Sequence, residues 1–344
     1  VFGKSKTTVG LDIGSSSIKV VQLETRGEVT RLMNYGVADI VPEAIVEGEI
    51  MDRQLVIEAI QNLLERCGIK ERRIATGIAG RGVMVKKITM DRLDPKDARE
   101  AIHWEAEQYV PYDINDVSLD FQILDLDVGP KQMQVLLVAA KKDLVNTQAD
   151  LIREAGLIPA VIDVNSLAVQ NAAELNYDFV RDEVAALVNV GAELTNVNII
   201  RGGIPLYAQD LSIGGNSFIE SVQKRYQVSR EEAVGAFRAG ESSTLDLAPA
   251  VKSFAEELAV GIERSIAYLK SSGEAERVDR VLLSGGGARI LGLPQMLAER
   301  QRVPVDIVDP LRRIQFAPES FGADDPRGIG PQLTVAIGLA LRKA

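Results

Sequence analysis

Hydrophobic and polar positions alternate along this chain with short, changing periods. Residues 9–38 alternate with period two and predict three strands. Leu55, Val56, Ala59, Ile60, Leu63, Leu64 and Cys67 then recur at helical spacing, with Asp52 as the cap and Gly68 as the stop. A strand over residues 74–79 completes a β-β-β-α-β opening. Residues 83–162 differ in character. They predict a strand ending near Met90, then a helix with Asp94 as cap and Pro95 at its first position. Ala98, Ile102, Glu105 and Tyr109 follow at helical spacing. Strands over 117–126 and 132–140, a helix over 141–155 and a strand over 157–163 come next, so the stretch reads as a small α+β module inserted into a first lobe. A helix over 165–176 leads back to the main body, and residues 185–210 repeat the opening theme of strands joined by glycine turns. Helices dominate 215–271, the longest burying Val251, Phe254, Leu258, Ile262, Ile266 and Leu269. A strand over 278–283, a helix over 293–300 and a last amphipathic helix over 333–341 follow. Residues 309–330, with three prolines, predict a mobile or surface-laid loop.

Length and charge narrow this picture. At 344 residues the chain exceeds one ordinary core and suggests two lobes or more. Its 46% hydrophobic and 26% charged residues are those of a soluble globular protein. A net charge of −10 argues against a nucleic-acid partner, and the short basic runs (Lys70, Arg72, Arg73; Lys86, Lys87) read as solvated faces. The single Cys67 excludes a disulfide framework and a cysteine zinc site, and reads as a buried, inert thiol. The single His103 excludes a multi-histidine metal centre, and packing beside Trp104 explains it. No apolar run reaches bilayer-spanning length, and no signal-peptide pattern precedes the first strand. A cytoplasmic protein is expected, although the chain begins at Val1 rather than Met.

The candidate chemistry starts at VGLDIGSSSIKVVQLE, residues 9–24. Gly14, Ser15, Ser16 and Ser17 form a tight turn between two apolar strands, with Asp12 before it and Lys19 after it. Glycine lets backbone approach an anion, serines donate to phosphate oxygens, lysine adds positive charge, and aspartate can hold a hydrated Mg²⁺. This is a phosphate hairpin rather than a G-x-x-x-x-G-K-[ST] loop, which the chain lacks. Alone, the segment reads equally well as an ordinary hairpin. The pattern returns in AALVNVGAELTNVNII, residues 185–200, with Asn189 in the place of Asp12 and Gly191 in that of Gly14. Two such hairpins facing each other would grip phosphates from both sides. A third cluster, Gly285, Gly286 and Gly287, follows a strand and would let a ring or an α-phosphate rest on bare backbone.

These elements, in this order, resemble the actin, Hsp70 and sugar-kinase ATPase superfamily over nearly the whole chain. The resemblance implies an α/β actin-like ATPase fold of two RNase H-like lobes holding ATP and Mg²⁺ between them. It assigns the first phosphate element to Asp12 (also the metal-holding residue), Gly14, Ser15 and Lys19, with Ser16 and Ser17 in the same turn. The second falls on Asn189, Gly191 and Thr195, with Gly215 beyond it, and the adenosine element on Gly285, Gly286 and Gly287. Connecting helices match at 165–176 and 333–341, where Ala336 and Gly338 allow close packing.

The inserted segment AREAIHWEAEQYVPYDINDVSLDFQILD, residues 98–125, looks like the extra subdomain of the FtsA and PilM branch. Within it residues 105–113, and beyond it residues 196–222, are similar to the PilM family of type IV pilus assembly proteins. That implies a first lobe over 1–82, completed by 164–184 and 331–344, an insert over 83–163 and a second lobe over 185–330. It also implies a cytoplasmic ATP-binding scaffold that docks the N-terminal cytoplasmic tail of the inner-membrane protein PilN. The tail would lie in a groove between first lobe and insert, near residues 83–88 and Tyr109, linking the envelope alignment complex to the cytoplasmic pilus machinery. Pilus motor or platform proteins would be further partners, self-association stays open, and membrane contact would come only through partners. An FtsA-like filament protein is the alternative, though it would be expected to carry an amphipathic membrane helix after a linker, where this chain ends at Ala344. A sugar-kinase-type phosphotransferase is the third reading.

Two departures from the family matter, and two further candidates follow. Asn189 stands where the superfamily usually places Asp, so weak or absent ATP hydrolysis is expected. Val234 and Phe237 stand where relatives tend to contact ribose and base, which leaves Arg238 as a substitute or the contacts thinner. Glu263 is a candidate for the ribose hydroxyls, against a solvated helix face. Asp163 is the candidate catalytic, water-positioning residue, against a helix N-terminal charge.

Overall fold

The computed structural model describes residues 6–342, apart from 47, 130 and 323. The outermost parts of the expected first lobe, 1–5 and 343–344, lie outside the described residues. The chain opens with β1 (Lys6–Ile13), β2 (Ser17–Arg26), β3 (Val29–Asp39), a small hairpin of β4 (Ile45–Val46) and β5 (Glu49–Ile50), α1 (Arg53–Arg66) and β6 (Arg73–Ile78). Next come β7 (Val83–Asp91), α2 (Pro95–Ala106), β8 (Val117–Gly129), β9 (Gln132–Lys141), α3 (Lys142–Glu154), β10 (Ile158–Val164) and α4 (Asn165–Asn176). The second half holds β11 (Val184–Val190), β12 (Thr195–Arg201), β13 (Ile204–Leu211), α5 (Gly215–Tyr226), α6 (Arg230–Ala239) and α7 (Ala248–Ser271). It closes with β14 (Arg280–Ser284), α8 (Leu293–Gln301), β15 (Val305–Ile307) and α9 (Pro326–Ala340).

Local signals place these elements as the pattern predicts. Asp52 accepts the Leu55 N–H at 3.0 Å and starts α1. Asp94 does the same for α2 through Lys96 and Asp97. Five strands form the first-lobe sheet in the order β10-β6-β1-β2-β3. Eight form the second, β15-β14-β11-β12-β13-β7-β9-β8. The insert therefore leaves and re-enters the first lobe, yet its strands extend the second-lobe sheet through the pairing of β7 with β13 at Lys86 and Tyr207. The Lys87–Glu274 ion pair, at 2.7 Å, closes that junction.

Residues 142–163, expected in the insert, pack elsewhere. Leu151, Ile152 and Ala155 of α3 join the first-lobe core, and β10 runs parallel to β6. A continuous strand run with one crossover helix suits either module in sequence, and only the pairing decides. The stretch 309–325 is not a loose loop: Leu311, Ile314 and Phe321 are buried against α9 and β2. Helix α9 starts at Pro326, capped by Asp325, seven residues before the expected start at Leu333, and carries Pro331 inside it. The Pro331 carbonyl accepts the Gly285 N–H at 2.8 Å. His103 and Trp104 are also exposed, Trp104 by 74%, so packing does not explain them. Among the described residues no helix is long and apolar enough to cross a membrane.

Helices α4 and α9 cross between the two sheets. A Cβ on Gly338 would lie 1.7 Å from the Ala168 carbonyl oxygen, and one on Gly10 would lie 2.0 Å from that of Ala336. Bare backbone at both positions lets α9 lie flat on β1 and against α4, which sets the spacing of the lobes.

Candidate functional site

The β1–β2 hairpin and the β11–β12 hairpin face each other across the interlobe cleft. Their registers correspond. Asp12 pairs with Lys19 across the first, and Asn189 with Asn196 across the second. Gly14 donates to the Ser17 carbonyl at 3.1 Å, and Gly191 to that of Leu194 at 2.9 Å, closing the two turns alike. Asp12 and Lys19 form an ion pair at 3.1 Å, both largely buried. A Cβ on Gly14 would lie 3.0 Å from Lys19 Nζ, so this glycine makes room for the cation as well as for an anion. Ser15 and Ser16 line the cleft.

In the second hairpin the ion pair is replaced by an amide chain. Ser284 Oγ donates to Asn189 Oδ1 at 3.3 Å, Asn189 Nδ2 to Asn196 Oδ1 at 2.9 Å, and Asn196 Nδ2 to Asp210 Oδ1 at 2.6 Å. The Gly80 N–H donates to the other Asp210 oxygen and ties the first lobe to this chain. Burial pushes the Asp210 carboxyl up, opposed by these hydrogen bonds from Asn196 and Gly80. Gly285, at φ +84°, brings its backbone so close that a Cβ would lie 2.3 Å from the Val190 carbonyl oxygen. It lines the cleft with Gly286.

The first-lobe wall contributes residues that the motif reading missed. Gln148 of α3 donates to Thr76 Oγ1 at 2.8 Å, both buried, and lines the cleft. A glutamine beside Ala149, Leu151 and Ile152 on an apolar helix face is the signal that could have marked it. Asn165 and Gln332 line the cleft too, as does Glu193 in the second turn. Asn165 Oδ1 is buried with no hydrogen-bond partner. An unmet buried acceptor costs about 1–3 kcal/mol, which a bound donor such as a metal-held water would recover. Among the described residues no three His, Cys, Asp or Glu side chains cluster as a metal cage. One carboxylate, Asp12, does fit Mg²⁺ carried by phosphates, because that ion keeps several waters.

The structure thus gathers Asp12, Gly14, Ser15, Ser16, Lys19, Asn189, Gly191, Gly285 and Gly286 at one cleft. It does not bring the other expected residues to the cleft surface. Ser17 is taken into β2 as a buried strand residue. Thr195 is fully buried and donates to the Ile213 carbonyl at 2.8 Å; strand alternation gives the cleft face to Asn196 instead. Gly215 donates to the Gly191 carbonyl at 2.8 Å and anchors α5 on the hairpin. Gly287 is buried against Val190. Glu263 pairs with Arg300 at 3.2 Å on the outer side of α7, as a solvated face residue would. Arg238 pairs with exposed Asp39 at 3.2 Å, while Val234 and Phe237 pack on the second-lobe core. Asp163 is buried at the end of β10, where its Oδ2 meets Arg342 Nε at 3.0 Å and its Oδ1 accepts the Val164 N–H. Desolvation pushes its carboxyl up, against the nearby Arg342. It does not line the cleft.

Two lobes around crossed helices, with paired hairpins and a glycine turn converging between them, define an actin-like ATPase fold. EutJ, an ethanolamine utilization protein from Carboxydothermus hydrogenoformans, shares it at 16% identity and a TM-score of 0.59, over 98% of this chain and 89% of that one. MreB5 of Spiroplasma citri bound to ADP shares it at 10% identity and a TM-score of 0.55, over 97% and 94%. A chain from a PilM–PilN type IV pilus biogenesis complex is similar at 27% identity and a TM-score of 0.84, over 97% of both chains. The family model of the type IV pilus assembly protein PilM matches residues 10–344, and this chain belongs to that family.

Proposed function

We propose that this chain is a nucleotide-holding scaffold of type IV pilus assembly that docks the N-terminal tail of PilN at the inner membrane. The observation that carries the nucleotide half is the convergence of Asp12, Lys19 and the two closed hairpin turns on one cleft. Asp12 would hold Mg²⁺, and Lys19 with the Ser15 and Ser16 donors would hold phosphate oxygens. Gly285 and Gly286 would carry the adenosine side. Bound Mg²⁺ would supply charge neutralisation to the phosphates. Asp163 lies outside the cleft lining and Asn189 brings no carboxylate to the second hairpin, which supports slow or absent turnover.

Family membership carries the docking half, since the similar PilM chain is part of a PilM–PilN complex. Two unpaired strand edges support a place for the tail. β8 is one outer strand of the large sheet and β10 one of the small sheet, and Asp120 of β8 lies near Asp163 of β10. An extended tail can add main-chain hydrogen bonds to such an edge. Near residues 83–88, β7 pairs with β9 along its length and with β13 at Lys86, whose ammonium lies over the Tyr109 ring.

Amide hydrogen exchange with each ligand tests both halves. ATP·Mg²⁺ is expected to protect residues 12–17, 189–195 and 285–286, and a PilN tail peptide to protect β8 or β10. Protection confined to other regions would refute the assignment. Asp12→Asn is expected to weaken ATP·Mg²⁺ binding about tenfold or more, or ~1.4 kcal/mol, in a direct titration.

A further inference from the structure

We propose that the end of the first-lobe sheet opposite the cleft docks on the anionic surface of a lipid bilayer. Strand direction assembles this rim. β10, β6 and β1 run parallel and begin there, β2 ends there and β3 begins there. The rim gathers Lys6, Arg26, Lys70, Arg72 and Arg73, all exposed, in a chain of net charge −10. Its carboxylates are Glu24, Glu28 and Glu71. Glu71 Oε1 is committed to the backbone N–H groups of Arg72 and Arg73, at 2.8 Å each. Among the described residues the Lys70, Arg72 and Arg73 side chains enter no ion pair.

Lys6, Thr7, Thr8, Glu71, Arg73 and Arg342 surround a small pocket in this rim. Arg342 gives its Nε to Asp163 and keeps further guanidinium donors. Arg73 with the spare donors of Arg342 suits the phosphate of a lipid headgroup. Apolar residues stand beside the charges. Ile158 is 51% exposed and pairs in register with Arg73, and Val29 is 44% exposed at the start of β3. Cations that engage headgroups beside apolar tips that enter the acyl boundary make an interfacial contact. A nucleic acid would instead call for a longer basic track or stacking aromatics, and the rim residues include neither. The eight residues of β1 separate rim from cleft by about 26 Å, so a docked chain keeps its cleft turned away from the bilayer. This contact is independent of the tail and would align the groove with a membrane-borne partner.

The test is co-sedimentation of the full chain with phosphatidylglycerol–phosphatidylethanolamine vesicles and with phosphatidylcholine vesicles, at low and high salt. Pelleting is expected on the anionic vesicles alone and is expected to fall as salt rises. Arg72→Gln with Arg73→Gln is expected to lower partitioning about 25-fold, about fivefold per cation. Ile158→Ser is expected to lower it while leaving the salt dependence unchanged. Unaltered unfolding midpoints would show that both variants fold. Equal pelleting on both vesicle types, none on either, or an unaffected arginine variant would overturn the proposal. So would inorganic phosphate displacing the protein from vesicles at matched charge, or a duplex oligonucleotide bound as tightly as the anionic vesicles. A PilN tail peptide titrated without lipid reports separately on the docking reading.

Discussion

Asn189 is held from both sides, and that explains why a neutral residue stands in the second hairpin. Its oxygen accepts from Ser284 and its amide donates to Asn196, whose own amide is spent on Asp210. An aspartate here would face the Asn196 oxygen with a second acceptor. Asn189→Asp is therefore expected to destabilise the fold by about 1–3 kcal/mol in chemical denaturation without raising phosphate release from ATP. Faster hydrolysis at unchanged stability would contradict this. Asp210 gives a pH signature. Burial holds its folded pKa above the ordinary 3.8, so the folded state keeps a proton that the unfolded state releases. Its contribution to stability is fully present below that ordinary value and is lost as pH rises through the folded pKa. Unfolding free energy of the native chain should fall across that window relative to Asp210→Asn, whereas parallel curves would count against it. The first-hairpin residues were legible because glycine, serine, lysine and aspartate each carry a local chemistry. Thr195 was misread because the repeat aligned turns without counting strand parity, which register alone supplies. Asp163 and Glu263 were misread because nothing local in sequence says which face of a strand or helix meets the cleft.

Among the elements, α9 does the most to fix the lobes. It touches β1, β2, β6 and α4, and its small residues allow that closeness. Gly338→Val would drive side-chain atoms into the Ala168 carbonyl, and a loss of about 3 kcal/mol is expected on overpacking grounds. A thermal midpoint equal to that of the native chain would show that the helices can separate freely. Periodicity made most helices and strands readable, since each buries one face. The first turns of α9 escaped it because Pro326 and Pro331 lack the N–H of a regular helix, whereas Pro326 stands at the first position, where no donor is needed, and Pro331 is buried with most of the residues that follow it. The membership of α3 and β10 escaped it too, because partner choice between sheets leaves no trace in a strand's own alternation.

Taken whole, the molecule joins three parts through two sheets. The insert belongs to the first lobe by chain and to the second by hydrogen bonding, with Lys87 paired to Glu274 across the seam. The proposed tail site at β8 or β10 and the cleft between the lobes would thus have walls in the same two sheets. Ligands in one can act on the other only through differential affinity for the arrangements of those walls. The decisive measurement is calorimetric titration of a PilN N-terminal peptide into the full chain, with and without ATP·Mg²⁺. Saturable one-to-one binding is expected, with ATP·Mg²⁺ bound in its own right by the native chain and weakened by Asp12→Asn. No heat of peptide binding in either condition would contradict a PilN-docking scaffold.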